Sequence, residues 1–302
     1  MRLAYFIQNH LPPPQVARLA GTILRSQPDA FLLIGHDPFA GRCTVEEMRG
    51  ALDADVFGVR EPPRRGYFSL IQPYFEAVEW LADHGIDYDW LVYLSGQDYP
   101  VQPLRGLENL LATCEVDGFL RYWDAFRSDN PWGRPKQGLR RYGYQYADAP
   151  GWLARPLKAL NGIQGYAHAH LIYGPRLGLR RKSPFGPACT CYAGKQWTIL
   201  RRACAEYVTE KVREDGKLIQ WFRRTICPDE AVVQTLLANA GRFRLRDDDL
   251  RYMDFTGSTT GSPRNLTEAD LPALTNGKYY FARKFERDSP VLDRLDDYID
   301  AS

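Results

Sequence analysis

The chain has 302 residues, 44% of them hydrophobic and 25% charged, with a formal net charge of +2, the make-up of an ordinary folded domain that can bury a large core. So even a charge balance gives no argument of its own for a nucleic-acid partner, and none is expected. The opening Met1–Ile7 is apolar only until Gln8, Asn9, His10 and three prolines follow, and no later run reaches about 18 apolar residues; a cytoplasmic protein without a transmembrane segment is expected, with peripheral contact at a membrane surface left open.

The elements read in chain order as an α/β alternation. Leu3–Ile7 is a strand, and Pro14–Arg25 places Val16, Leu19, Ala20, Ile23 and Leu24 at helical spacing. Ala30–Gly35 is an unbroken apolar run, as a buried parallel strand requires. A short helix over Val45–Leu52, a strand over Asp55–Val59, a helix from Ser69 (its cap) to His84 and a strand over Asp89–Leu94 follow. This rhythm predicts a Rossmann-like, doubly wound, mostly parallel sheet. Beyond Pro103 come a helix over Leu104–Thr113 and a strand over Gly118–Tyr122. Residues 123–190 change character, being rich in Arg, Tyr, Trp, Gly and Pro, and are expected to form short helices and loops around a binding surface. Regular structure resumes with Gln196–Leu200 and with helices over Ala203–Val212 and Asp229–Ala240. A strand near Leu250–Phe255, a helix over Leu266–Thr275 and the segment Tyr279–Tyr298 close the chain. With no repeat or low-complexity linker, residues 1–302 are read as one domain, a nucleotide-binding half (1–120) and an acceptor-binding, catalytic half (121–302).

The six cysteines are scattered, and the Cys189-Thr190-Cys191 offset is not a zinc spacing. The five histidines show no zincin pattern, so no metal is expected. Phosphate-loop, dinucleotide-binding and nucleophile-elbow glycine motifs are absent, which removes the corresponding enzyme classes.

The strand Leu91–Leu94 ends in Ser95-Gly96-Gln97-Asp98-Tyr99-Pro100. Strand carboxyl ends are where open α/β sheets bind ligands. Many nucleotide-sugar transferases place an Asp-x-Asp pair there to hold a metal; here Ser95, Gln97 and Asp98 supply a single acid. The chain is then either no sugar transferase or one that neutralises its leaving group with other cations. In Cys227-Pro228-Asp229-Glu230 the acids sit at a helix start, where the dipole favours anions. Glu230 is either simple helix-start chemistry or a general base on a rigid support. Arg283-Lys284 between Phe281 and Phe285 suits a pyrophosphate or a solvated charge pair. Gly194-Lys195-Gln196-Trp197 suits a wall for a sugar ring or a core tryptophan. His36-Asp37 and Arg65-Gly66 belong to the same rim.

Together these pieces resemble one family. Leu94–Pro100 is similar to the central motif of the core-2/I-branching β-1,6-N-acetylglucosaminyltransferases and their protein O-xylosyltransferase relatives. In the same chain order, Gly66-Tyr67-Phe68-Ser69-Leu70 resembles the family's Trp-Gly-x-x-Ser element, with Arg65 in place of Trp. Gly194–Trp197 resembles Gly-Ser-x-Trp, Pro228-Asp229-Glu230 with Gln234-Thr235 resembles Pro-Asp-Glu…Thr, and Phe281–Phe285 resembles Phe-Ala-Arg-Lys-Phe. The arginine-rich composition suits a bacterial-type member. The resemblance implies a GT-A fold and an inverting, metal-independent transferase, without a cofactor, that uses a UDP-sugar and a glycan or glycoconjugate acceptor. On it Glu230 is the general base, Arg283 and Lys284 hold the diphosphate, and Asp37 contacts the uridine. Asn9, Arg65, Gly66 and Asp98 complete the donor side, and Gln196, Trp197, Tyr252 and Asp254 the acceptor side. N-acetylglucosamine is the expected sugar; xylose or glucuronic acid, or a non-catalytic glycan-binding module, are the alternatives. Gln196 stands where xylosyltransferases carry an acid, no counterpart of the eukaryotic anchor and stem is expected, and residues 123–190 match little in the family, which leaves the acceptor open.

Overall fold

The alternation of the first hundred residues is present in the computed structural model, which describes residues 1–132, 136–156, 165–258 and 261–301. Strand β1 (Leu3–Asn9) is followed by helix α1 (Pro13–Ser26), β2 (Phe31–His36), α2 (Val45–Ala51), β3 (Asp55–Gly58), α3 (Gln72–Asp83) and β4 (Trp90–Ser95). Then come β5 (Asp98–Pro100), α4 (Leu104–Thr113), β6 (Gly118–Leu120), β7 (Tyr122–Asp124), α5 (Gln137–Tyr142), β8 (Tyr144–Asp148), β9 (Ala167–His170) and β10 (Arg176–Arg180). The remainder holds β11 (Tyr192–Gly194), β12 (Ile199–Arg201), α6 (Arg202–Arg213), α7 (Lys217–Phe222), α8 (Val232–Asn239), β13 (Leu245–Asp247), β14 (Arg251–Met253), α9 (Leu271–Leu274), β15 (Phe281–Arg283) and α10 (Val291–Asp300).

The main sheet has the order β13-β6-β12-β4-β1-β2-β3 among the described residues. Its pairs β1–β2, β1–β4, β2–β3 and β13–β6 are parallel, while β12 runs antiparallel to both neighbours. The architecture is mixed α/β around a mostly parallel sheet, as the sequence predicts. Strand alternation between two buried faces explains why β1 is apolar over Leu3–Ile7. Ala4 and Phe6 pack into one core with Tyr74, Phe75, Val78 and Leu81 of α3. Leu3, Tyr5 and Ile7 pack into the other, with Val16, Leu19 and Ile23 of α1. Each face is therefore sealed by its own helix layer, and the carboxyl ends of β1, β2 and β4 stay open on one rim.

Several boundaries differ from expectation for local reasons. Ser69 does not cap a helix: it lies in a 3-10 turn, Phe68–Leu70, and its hydroxyl accepts from the Arg64 N–H at 3.0 Å. The helix expected over Asp229–Ala240 begins at Val232, because Pro228–Glu230 form a separate 3-10 turn. The helix expected over Leu266–Thr275 reduces to the turn Glu268–Asp270 and α9. Pro100 closes a short strand, β5, which pairs antiparallel with β15; β14 joins it in parallel to make a second, three-stranded sheet. Within 123–190, where short helices and loops are expected, β8, β10 and β9 form an antiparallel sheet. Alternating Tyr144 and Tyr146 bury one face of β8, a period-2 signal beneath the arginines. The part of that segment over 157–164, like 133–135, lies outside the described residues. No helix among the described residues is long and apolar enough to cross a membrane.

Candidate active site

A cavity of about 470 Å³ opens where the carboxyl ends of β1, β2 and β4 meet the second half of the chain. Chain order reverses between β1 and β4 in the sheet, and such a crevice is the expected ligand site of an open α/β sheet. Of the residues expected there, Asn9, Asp37, Arg65, Gly66, Gln196, Trp197, Glu230 and Arg283 all line it.

On the donor side the side chains are fixed by short local bonds. The Asn9 amide donates to the Leu11 carbonyl at 2.8 Å, accepts from the Leu11 N–H at 3.0 Å, and lies 3.2 Å from the His36 ring. A side chain at Gly96 would sit 2.4 Å from the Asn9 Oδ1, so the turn after β4 needs glycine to let β1 end there. Asp37 accepts from the Phe39 N–H at 2.9 Å and caps the turn Pro38–Ala40. Gly66 has φ +83°, and its carbonyl accepts from the Cys227 N–H at 3.2 Å, which ties this rim to the Glu230 turn.

Asp98 lies beneath the cavity rather than in it. One oxygen accepts from the Ser95 N–H at 2.9 Å and folds the turn. The carboxylate lies 3.4 Å from Arg283 Nε and 3.6 Å from Arg251 Nε. Both separations exceed hydrogen-bond length. Nε and Nη1 of both arginines are buried without a hydrogen-bond partner among the described residues. Two guanidiniums thus share one carboxylate, and the surplus positive charge meets the cavity through Arg283, whose guanidinium lies 4.1 Å from the centre of the Trp197 ring. Burial lowers the Arg283 pKa from its ordinary value, with Arg251 adding to the effect and Asp98 opposing it. Arg251 was not among the expected residues. Its signal was available: an arginine inside an apolar strand must be paired once buried.

Glu230 stands in the 3-10 turn with its N–H bonded to the Cys227 carbonyl at 3.2 Å. Arg141 Nη1 donates to Glu230 Oε2, and Oε1 has no hydrogen-bond partner among the described residues. Asp229 beside it is buried with Oδ1 unpartnered among the described residues. Burial, reinforced by the Glu230 charge, pushes its carboxyl up to about 7. Across the cavity, Gln196 donates to the Tyr93 hydroxyl at 2.6 Å and to Gln8 Oε1 at 3.3 Å. Lys195 is held 3.2 Å from Asp249.

Besides Asp98, three expected residues do not line the cavity: Lys284, Tyr252 and Asp254. Alternation along β14 places Met253, with Phe255 beyond, on the cavity side. Tyr252 packs instead against Tyr279, ring centres 5.5 Å apart. Asp254 accepts from the Thr256 N–H at 2.8 Å and pairs with Arg264 at 2.6 Å, contacts that hold its pKa down to about 2. Among the described residues no three His, Cys, Asp or Glu side chains converge as metal ligands would.

The Core-2/I-Branching enzyme family model matches residues 179–275, which include Gln196, Trp197, Glu230, Tyr252 and Asp254. The chain is similar to "Beta-glucuronosyltransferase GlcAT14A" of Arabidopsis thaliana, 24% identical over 234 residues, covering 76% of this chain and 47% of the relative. It is also similar to a "Xylosyltransferase" of Ciona intestinalis, 26% identical over 249 residues, covering 76% and 26%. This chain therefore spans less than half the length of these curated relatives. Among solved structures, S. aureus TarS 1-349 in complex with UDP-GlcNAc aligns with a TM-score of 0.38 at 9% identity, covering 97% of this chain and 61% of the other.

Proposed function

We propose that this chain is an inverting, metal-independent glycosyltransferase of the core-2/I-branching type, moving a sugar from a UDP-sugar to a hydroxyl of a glycan or glycoconjugate and forming a β-linkage. The observation that carries the reading is one cavity with two unlike charged ends. At one end an arginine-held carboxylate keeps one oxygen available; at the other stands Arg283, whose Nε and Nη1 have no hydrogen-bond partner among the described residues. The second arrangement suits a leaving diphosphate, because preorganised donors in a water-poor site stabilise developing negative charge strongly. Buried N–H groups also carry a desolvation cost that an anion would relieve.

In this mechanism Glu230 takes the proton of the acceptor hydroxyl through Oε1 while Arg141 orients the carboxylate through Oε2. The acceptor oxygen attacks the anomeric carbon from the face opposite UDP, and the bond to the diphosphate breaks as the new glycosidic bond forms. Arg283 receives the departing charge, with Arg251 and Asp98 fixing its position. Trp197 backs the Arg283 guanidinium, 4.1 Å from its ring centre. N-acetylglucosamine is the donor sugar favoured by the motif resemblance. The name of the plant relative gives glucuronic acid a specific claim as the second reading, and a donor-hydrolysis screen with the UDP-sugars decides between them.

Replacing Glu230 with Gln should lower turnover by about 10²–10⁴-fold, the usual worth of a positioned general base, while UDP affinity measured by calorimetry stays unchanged. Undiminished turnover in Glu230→Gln would overturn the assignment. Wild-type turnover should also persist in excess EDTA; strict dependence on added manganese would contradict the metal-free reading.

A further inference from the structure

A second cavity, about 900 Å³ and larger than the first, is lined from residues 124–143, which lie outside the family match, and from residues 180–191, which lie within it. Its described lining carries Lys136, Arg180 and Arg181, none with an acidic partner among the described residues, and Arg127, which forks onto Asp129 at 2.9 and 2.8 Å. Asp124 is the acid of that lining, and it accepts from the Phe126 N–H at 2.9 Å. Two aromatic rings, Phe126 and Phe185, stand 5.8 Å apart on the wall, and Phe126 is 43% exposed. Unpaired cations around a concave surface with exposed aromatic faces form a receptor for an anion that also has apolar faces. Arginine forks match carboxylate and sulfate oxygens, and ring faces suit the C–H faces of sugars.

The two cavities are built on shared elements. Lys136 and Gln137 at the start of α5 line the second cavity, and Arg141, one turn further on, holds Glu230 in the first. Likewise Cys191 lines the second and Lys195 the first; four residues of extended chain span roughly 13 Å. The two cavities are therefore neighbours along both elements.

We propose that the second cavity is a subsite for an acidic oligosaccharide, the portion of the acceptor remote from the reacting hydroxyl. The acceptor role rests on the transferase reading above; binding of an acidic glycan does not.

Calorimetry on the full chain at about 0.15 M salt, where exposed pairs beyond a Debye length are screened, tests it with three probes: tetragalacturonate (carboxylate), a κ-carrageenan tetrasaccharide (sulfate) and neutral cellotetraose. At least one acidic probe should bind about tenfold or more tighter than cellotetraose, and the arm that binds identifies the anionic group. The doubly substituted Arg180→Ser/Arg181→Ser chain should lose that advantage while keeping its melting temperature and UDP affinity, since both residues are exposed and outside the donor cavity. Lys136→Ser alone should lose part of it. Equal binding of acidic and neutral probes, or undiminished acidic binding by the double variant, would overturn the proposal. Loss of UDP binding in the wild-type chain alongside intact acidic-glycan binding would sink the donor reading instead.

Discussion

Two carboxylate–arginine groups, one beneath the cavity and one at its wall, differ chiefly in burial. Asp98 and Arg251 have side chains 0% exposed, and their shared partner Arg283 is 12% exposed. Glu230 is 30% and Arg141 19% exposed. The buried group is a framework: water cannot replace any of its partners, so its geometry is fixed and its charge is strongly felt. The less buried group keeps one carboxylate oxygen, Oε1, without a hydrogen-bond partner among the described residues and so available to a substrate. Burial thus separates a residue that must hold still from one that must react, although the side-chain chemistry is the same.

The comparison can be broken most directly at Asp98. Asp98→Ala leaves two buried guanidiniums facing each other, and removal of one member of a buried pair costs about 3–5 kcal/mol. Urea unfolding should show a loss of that size; a change under about 1 kcal/mol would mean the arginines are solvated and the framework account is wrong. Asp229, beside the half-exposed pair but itself buried, gives a smaller, pH-dependent effect. Its carboxyl rises from an ordinary 3.8 to about 7, so between those values the folded chain holds a proton that the unfolded chain releases. Its contribution to stability is complete below about pH 4 and is lost as pH rises through about 7. Asp229→Asn removes that dependence, so wild type should lose up to a few kcal/mol relative to the variant between about pH 4 and about pH 8. Parallel melting curves across that range check it, and coincident curves would remove Asp229 as a buried titrating group. The smallest effect belongs to Tyr252, which packs on Tyr279 outside the cavity. Tyr252→Phe should leave acceptor KM within about twofold; a larger rise would restore it to the acceptor side.

Much of the first hundred residues was legible because local patterns carried it. The unbroken apolar run Ala30–Gly35 matched a strand buried on both faces, and Val16, Leu19 and Ile23 fell on one helical stripe. The 123–190 segment was misread because its arginines masked the alternation of Tyr144 and Tyr146, and because β8 and β9 meet only through β10, far along the chain. At the site, the cavity gathers motif residues such as Trp197, Glu230 and Arg283 together with the strand-end residues Asn9 and Asp37, whereas Asp98 and Lys284, also in motifs, do not line it. Arg251 and Arg141 were missed because a pairing partner leaves no periodic trace: Arg141 and Glu230 lie 89 positions apart.

By itself the sequence determined the parallel α/β framework, the glycine-bearing turn after β4 and the acid and cation candidates, since these follow from local periodicity, turn chemistry and residue type. Tertiary structure alone decided which charges meet. It put Asp98 beneath the floor with two arginines, left one oxygen of Glu230 available, and turned Tyr252 and Asp254 away from the cavity. Charge pairing and strand facing are settled by burial and by contacts between distant segments, and neither is encoded in any short stretch of the chain.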